Sequence, residues 1–328
     1  MPLATNPRID RGHLVSLDPV ILFFLLGLFA GLVRAELRLP AAIYDFLSML
    51  LLLTIGLKGG VELANSEVVH LLPQLLGVLL LGLLFPLLLF PLLRWVGRLN
   101  RADAASVAAH YGSVSVGTFA VATAYLTHMD IPYESYMPVF VVILEAPAIL
   151  VGIVLARGVS RQTRWRSMGH EIFFGKGVLL LTGGLLIGWI CGGEAITPLK
   201  PLFFDLFKGV LALFLLEMGL ITAGQMGSLR RHGLFILLFG TLVPLLGAAI
   251  GGLLALALDF SLGGTMLLAT LAASASYIAV PAAMRMAVPE ANPGLSLAAS
   301  LGVTFPFNVL VGIPLYLTWA QWIHQAGG

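Results

Sequence analysis

Long apolar stretches, interrupted by short polar or Gly/Pro-containing intervals, recur along the whole chain. They lie near 19–35, 43–57, 68–93, 103–127 and 135–156, and again near 175–191, 203–222, 233–257, 263–287 and 295–322. Each is close to the ~20 residues that a helix needs to cross the hydrocarbon of a bilayer. None alternates apolar and polar positions as the strands of an outer-membrane barrel do. In lipid a helix satisfies its own backbone amides, so the pattern predicts an all-α polytopic membrane protein with ten transmembrane helices. Composition agrees: 59% of the 328 residues are hydrophobic and 10% charged, where a soluble domain carries roughly 25% charge. A net charge of +2 with no long basic block argues against nucleic acid as a partner. The single cysteine, Cys191, rules out an intramolecular disulfide framework and Cys-based metal sites.

If successive loops alternate sides, one side collects Arg34, Arg38, Arg94, Arg98, Arg101, Arg157, Arg161, Arg164, Arg166, Lys176, Arg230, Arg231 and Arg285. The other holds Arg8, Arg11, Lys58, Lys200 and Lys208. The positive-inside bias then predicts an even number of spans, with both termini outside the cytoplasm of a bacterial inner membrane. A signal peptide is the alternative for the first run, but the second half opens with a comparable run, Gly177 to Trp189.

The halves repeat. Ile55-Gly56-Leu57-Lys58-Gly59-Gly60 is matched by Met218-Gly219-Leu220-Ile221-Thr222-Ala223-Gly224, and Tyr111-Gly112-Ser113-Val114-Ser115 by Ala272-Ala273-Ser274-Ala275-Ser276. Leu150-Val151-Gly152-Ile153 returns as Leu310-Val311-Gly312-Ile313; the three offsets are 163, 161 and 160 residues. Matches in one order at nearly one offset indicate duplication. Five spans per copy make the repeats inverted, a transporter architecture. The expected organisation is a first repeat over 1–157, a cytoplasmic linker over 158–174 and a second repeat over 175–328.

The fourth and ninth runs are small and polar at Gly112 to Thr118 and Ser274 to Ser276, and Pro281 follows the second. Such helices can break, presenting free amides and a positive dipole end to an anion at the midplane. Serine hydroxyls add donors, and unwound carbonyls or threonine oxygens can hold a small hard cation. The plain alternative is close helix packing, as expected of Gly27 to Gly31 and Gly184 to Gly188. Intramembrane carboxylates are costly, so Glu145, beside Pro147, is read as a cation ligand or proton carrier, or else as a neutral acid bonded to the carbonyl that the proline frees. Glu217 could neutralise Lys208. Asn308, after Pro306, is expected to bond across helices and to line the site. His110 reads as a helix-bonding histidine, and His70, His128, His232 and His324 as solvated. Asp45 and Asp205 read as helix caps.

At these residues the chain resembles the sodium-dependent bicarbonate transporter family. The likeness spans nearly the whole chain and is sharpest in the Ile55–Gly60, Gly112–Ser115 and Ala272–Tyr277 motifs and in Ala291-Asn292-Pro293. The resemblance implies two inverted five-helix repeats forming core and gate domains, with broken, crossing helices in spans four and nine, a homotrimer, and bicarbonate held between the breaks. Gly112, Ser113, Ser115, Thr118, Ser274, Ala275 and Ser276 would then lie at or beside the anion. Glu145, Thr118, Tyr277 and Asn308 are the candidate cation ligands. Tyr277 and Glu145 each stand where cyanobacterial relatives carry an aspartate, and the first change puts sodium as coupling ion in question. The linker is shorter than in those relatives, which weakens the expectation that a PII-like regulator docks there.

The function expected is import of bicarbonate or a similar small anion, coupled to sodium, by alternating access, with no resident cofactor and no enzymatic activity. The competitors are a cation/proton exchanger or proton-coupled anion transporter using Glu145 or Glu217, a serine-based intramembrane enzyme, and a non-transporting anion sensor. No Gly-x-Ser-x-Gly or His-Glu-x-x-His motif supports the enzyme.

Overall fold

A computed structural model describes residues 18–37, 39–65, 71–158 and 174–327. The described residues are almost all helical, and seven helices are long and apolar enough to cross a membrane. In chain order the elements are α1 (Pro19–Leu32), α2 (Ala41–Ala64), α3 (Leu72–Trp95), α4 (Arg101–Gly112), α5 (Val116–His128) and α6 (Met137–Arg157). Then follow α7 (Lys176–Ile196), α8 (Phe207–Gly227), α9 (Gly233–Ala257), α10 (Leu262–Ala272), α11 (Ala279–Ala287) and α12 (Pro293–Gln325). The chain is therefore a multi-pass helical membrane protein.

Local chemistry sets the boundaries. Asp18 accepts from the Val20 amide at 2.9 Å, with Pro19 as the first residue of α1. Asn100 caps α4 by accepting from the Asp103 amide at 2.8 Å, and its own amide returns to the Asp103 carboxylate at 2.7 Å. Both arrangements satisfy donors that the first turn leaves orphaned. Gly233 separates α8 from α9 at φ 74°, a conformation that disfavours any residue with a Cβ. Asp45 and Asp205 are not caps. Asp45 lies inside α2, which starts after Pro40, and pairs with Lys176 Nζ at 2.7 Å. Asp205 ends a five-residue π turn ahead of α8.

Two groups of helices follow from where small residues allow close approach. In the first, α2 packs on α7 and α1 on α8. A Cβ at Gly60 would meet the backbone of Leu185 and Gly188, and one at Gly27 the backbone of Leu216. This is the close packing expected of those glycine stretches. In the second group, Gly112 sits against Pro86, Gly82 against Leu144, Gly240 against Val303, and Gly247 against Ala272 and Ala273. These contacts join α3, α4, α6, α9, α10 and α12. Leu76, Leu80, Leu84 and Leu88 on α3, and Leu234, Leu238, Leu242 and Leu246 on α9, form exposed stripes at intervals of one turn. Such stripes suit a lipid surround.

Candidate functional site

Two helices are interrupted, and the interruptions touch. Between α4 and α5, Ser113 and Ser115 leave the helical conformation; between α10 and α11 the gap runs from Ala273 to Ile278. The Ser115 amide donates to Ser274 Oγ at 2.9 Å, and the Ser276 amide donates to the His110 carbonyl at 2.7 Å. Each break thus supplies an amide donor to the other.

The serines divide into those already spent and those still free. Ser115 caps α5: its Oγ accepts from the Thr118 amide at 3.0 Å and from Thr118 Oγ1 at 2.8 Å. Ser274 Oγ accepts from Ser115 and donates to the Leu271 carbonyl at 2.8 Å. Ser276 Oγ lies 3.5 Å from the Val280 amide, near the start of α11. Ser113 Oγ is buried and has no partner, and the same holds for the Tyr277 hydroxyl. With Thr118 held by its cap, the Val116 and Gly117 amides are the first two of α5 and have no intrahelical acceptor. Gly112 and Ala275 are buried in the two breaks.

Of the four candidate cation ligands, Thr118 and Tyr277 lie beside Ser115, and Asn308 and Glu145 make other contacts. Asn308 is fully engaged, with Nδ2 donating to the Ala273 carbonyl at 2.9 Å and Oδ1 accepting from the Tyr316 hydroxyl at 2.7 Å. It bonds across helices and fixes the second break. Thr118 is committed to Ser115. Glu145 lies elsewhere, on α6, where its Oε1 and Ala279 both crowd Gly177 of α7. Its other oxygen is buried without a partner. Tyr277 faces the break itself. α6 runs unbroken through Pro147.

A cavity of about 410 Å³ reaches this region. Tyr44 and Ser48 of α2, Lys176 and Gly177 of α7, and Tyr277 and Arg285 line it, so it opens on the side where Lys176, Arg285 and the Asp45 pair lie. On the other side a second cavity, of about 800 Å³, is lined by Asp18, Phe23, His128, Lys208 and Leu213. An aromatic layer lies between. Phe24 of α1 packs edge-on against Phe305 at 5.6 Å, Tyr277 against Phe305 at 5.4 Å, and Tyr44 stacks on Phe214 at 5.9 Å. The layer closes over Gly117, whose missing Cβ would stand 2.9 Å from Phe214 and 3.5 Å from Phe305. Its residues come from four helices and the second break and follow no local spacing, so nothing in the sequence singles them out.

Other expectations resolve simply. Glu217 does not pair with Lys208; it lies near the Leu39 backbone and Tyr44. His324 is not merely solvated, because its Nε2 bonds with Thr265 Oγ1 at 2.9 Å. His110 is a helix-bonding histidine, with Nδ1 2.7 Å from the Ser106 carbonyl. His128 ends α5 in an exposed position. His70 and the His232 side chain lie outside the described residues, as does most of the linker.

A search of curated proteins gives no match. A family model does match, over residues 19–321, a range that takes in both interrupted helices and every element packed around them. With that match across nearly the entire chain, the protein belongs to the Na+-dependent bicarbonate transporter superfamily.

Proposed function

We propose that this protein is a secondary active transporter that imports bicarbonate, or a similarly small anion, with sodium by alternating access. The observation that carries the reading is the pair of touching helix interruptions, which hold amides without intrahelical acceptors and the unpartnered Ser113 and Tyr277 hydroxyls, Tyr277 also lining the cavity of about 410 Å³. Donors without acceptors in a buried site suit an oxyanion. The anion sits between Gly112–Thr118 and Ser274–Ser276. Sodium lies nearer Glu145, whose Oε2 is buried without a hydrogen-bond partner among the described residues.

The architecture in this reading is ten spans in two inverted repeats, with α4–α5 as span four and α10–α11 as span nine. Equivalent contacts support it. Ser115 and Ser276, 161 residues apart, each donate an amide across the crossing. The α1–α8 contact is matched by α2–α7, and the Gly82–Leu144 contact by Gly240–Val303. Spans one, two, six and seven form the gate and the rest the core. The assembly is a homotrimer in a bacterial inner membrane with both termini outside. A PII-like regulator, if one binds, meets the short central linker.

The test is uptake of radiolabelled bicarbonate into proteoliposomes of purified protein at fixed pH, with and without an inward sodium gradient. Accumulation driven by sodium is expected. The buried Glu145 Oε2, without a hydrogen-bond partner among the described residues, favours one second reading, proton coupling through that side chain. Uptake that ignores sodium but follows an imposed pH gradient would replace the first reading with this one. No uptake of any small anion would overturn both.

A further inference from the structure

Beside the central cavity, and sharing only Pro281 and Arg285 with it, lies a smaller one of about 90 Å³ between α4, α11 and the start of α12. Its polar lining is Ser106, His110 and Arg285. His110 is 1% exposed. Its Nδ1 stands 2.7 Å from the Ser106 carbonyl, which can only accept, so Nδ1 carries the proton of the neutral ring and Nε2 is a bare acceptor. That Nε2 is buried and has no partner. The Ser106 hydroxyl pairs instead with Ser296 Oγ at 3.0 Å.

The charges around the cavity are engaged except one. Asp103 of α4 accepts from the Asn292 amide and from Asn100. Arg157 of α6 donates to the Ala287 carbonyl and pairs with Glu290 at 3.4 Å. Arg285 of α11 forms no ion pair with any described residue. A forked cationic donor and a bare imidazole nitrogen therefore face one small space. An occupant that satisfies both needs an anionic oxygen for the guanidinium and an O–H to give to Nε2. Nitrate lacks the O–H, and a cation is repelled by Arg285, whose exposed guanidinium edges the cavity. The volume admits a small planar group, since a single water needs only about 10–15 Å³ on this measure.

We propose that this cavity is a second anion site, selective for a small monoprotonated oxyanion, held by Arg285 through its charged oxygens and by His110 Nε2 through its hydroxyl. The site is argued from its own groups; only the identity of bicarbonate as its natural occupant rests on the transport reading. The site adjoins the crossing without sharing its anion donors: the His110 carbonyl receives the Ser276 amide of the second break. An anion leaving the central cavity past Arg285 meets this site next, so it acts in release or in feedback by accumulated substrate.

The experiment is nitrogen NMR of ¹⁵N-histidine-labelled protein in lipid at fixed pH, with His110→Gln identifying the His110 signal. Should that variant not fold, ¹³C-bicarbonate to ¹⁵Nε2 dipolar coupling in the unmutated protein makes the assignment. Bicarbonate is expected to shift the His110 Nε2 resonance and nitrate is not. The half-saturating concentration should rise by about tenfold or more in Arg285→Gln, as expected on losing a bidentate charged contact, and stay unchanged in Ser113→Ala. No shift with bicarbonate, an equal shift with nitrate, or indifference to Arg285→Gln overturns the proposal. A shift abolished by Ser113→Ala also overturns it, as a signal relayed from the central site, while leaving the transport reading intact. A normal His110 shift in protein that carries no anion would sink the transport reading alone.

Discussion

Ser113 and Ser115 differ by two positions and by almost everything else. Ser115 is an N-cap with two hydrogen-bond donors on its oxygen, whereas Ser113 Oγ is buried with none. Loss of a cap costs about 0.5–2 kcal/mol of stability, so Ser115→Ala should lower both thermal stability and anion affinity. Ser113→Ala should leave the melting temperature of purified protein within a degree or two, while bicarbonate affinity falls by roughly 5- to 150-fold, the equivalent of about 1–3 kcal/mol for a lost donor in a dry site. Unchanged affinity in Ser113→Ala would move the anion away from the first break. Glu145→Gln keeps the size of the side chain and removes its charge. Sodium activation of uptake should disappear while the protein still folds, as checked by size-exclusion profile and sodium titration. Both serines were visible in the sequence as members of one small, polar motif. Which of them was already spent was not, because Ser274 lies 159 residues from the amide it receives.

At the scale of elements, glycine placement decides how closely helices approach. Gly60 and Gly188 let the backbones of α2 and α7 touch, and a Cβ at Gly60 would collide with main-chain atoms that cannot rotate away. Gly60→Val should therefore lower the unfolding temperature markedly, since overpacking costs typically 1–3 kcal/mol. Gly209→Ala, with nothing within 4 Å of the added carbon, should not. A thermal unfolding series on the two variants checks this. The helices were legible as apolar runs, and their ends fell where caps, prolines and glycines stand. The interruptions between α4 and α5 and between α10 and α11 were also legible, because runs of small polar residues do not bury enough side chain to hold a continuous helix. What misled the reading of Asp45 and Asp205 was position alone. Each stands near the start of a run, yet the helix begins at Ala41 in one case and after Leu206 in the other.

Across the whole molecule, Tyr277 and Ile278 line the cavity that also holds Lys176 and Arg285, and Tyr277 packs on Phe305 in a cluster with Phe24, with Phe214 meeting Tyr277 and Phe305 over Gly117. Removing one aromatic should open a second approach. With Cys191→Ser as background, Ile278→Cys should react with a membrane-impermeant thiol reagent only from the side bearing Lys176 and Arg285. Adding Phe214→Ala should permit labelling from the opposite side as well. Labelling from both sides without Phe214→Ala would show that the layer does not seal.

The amino-acid order determined the number and placement of apolar runs, the three matched motifs at offsets of 160 to 163 residues and the two weak points among them. Each of these rests on local composition or on repetition at a fixed distance, and both are written along the chain. The family likeness rested on the same motifs. Tertiary structure alone decided which donors remain free, that Asn308 and Thr118 brace the breaks while Glu145 stands apart, and that Tyr277, Phe214 and Phe305 meet over Gly117. These are outcomes of packing between residues tens to hundreds of positions apart. A hydroxyl becomes a binding group or a strut according to the neighbour that folding brings to it.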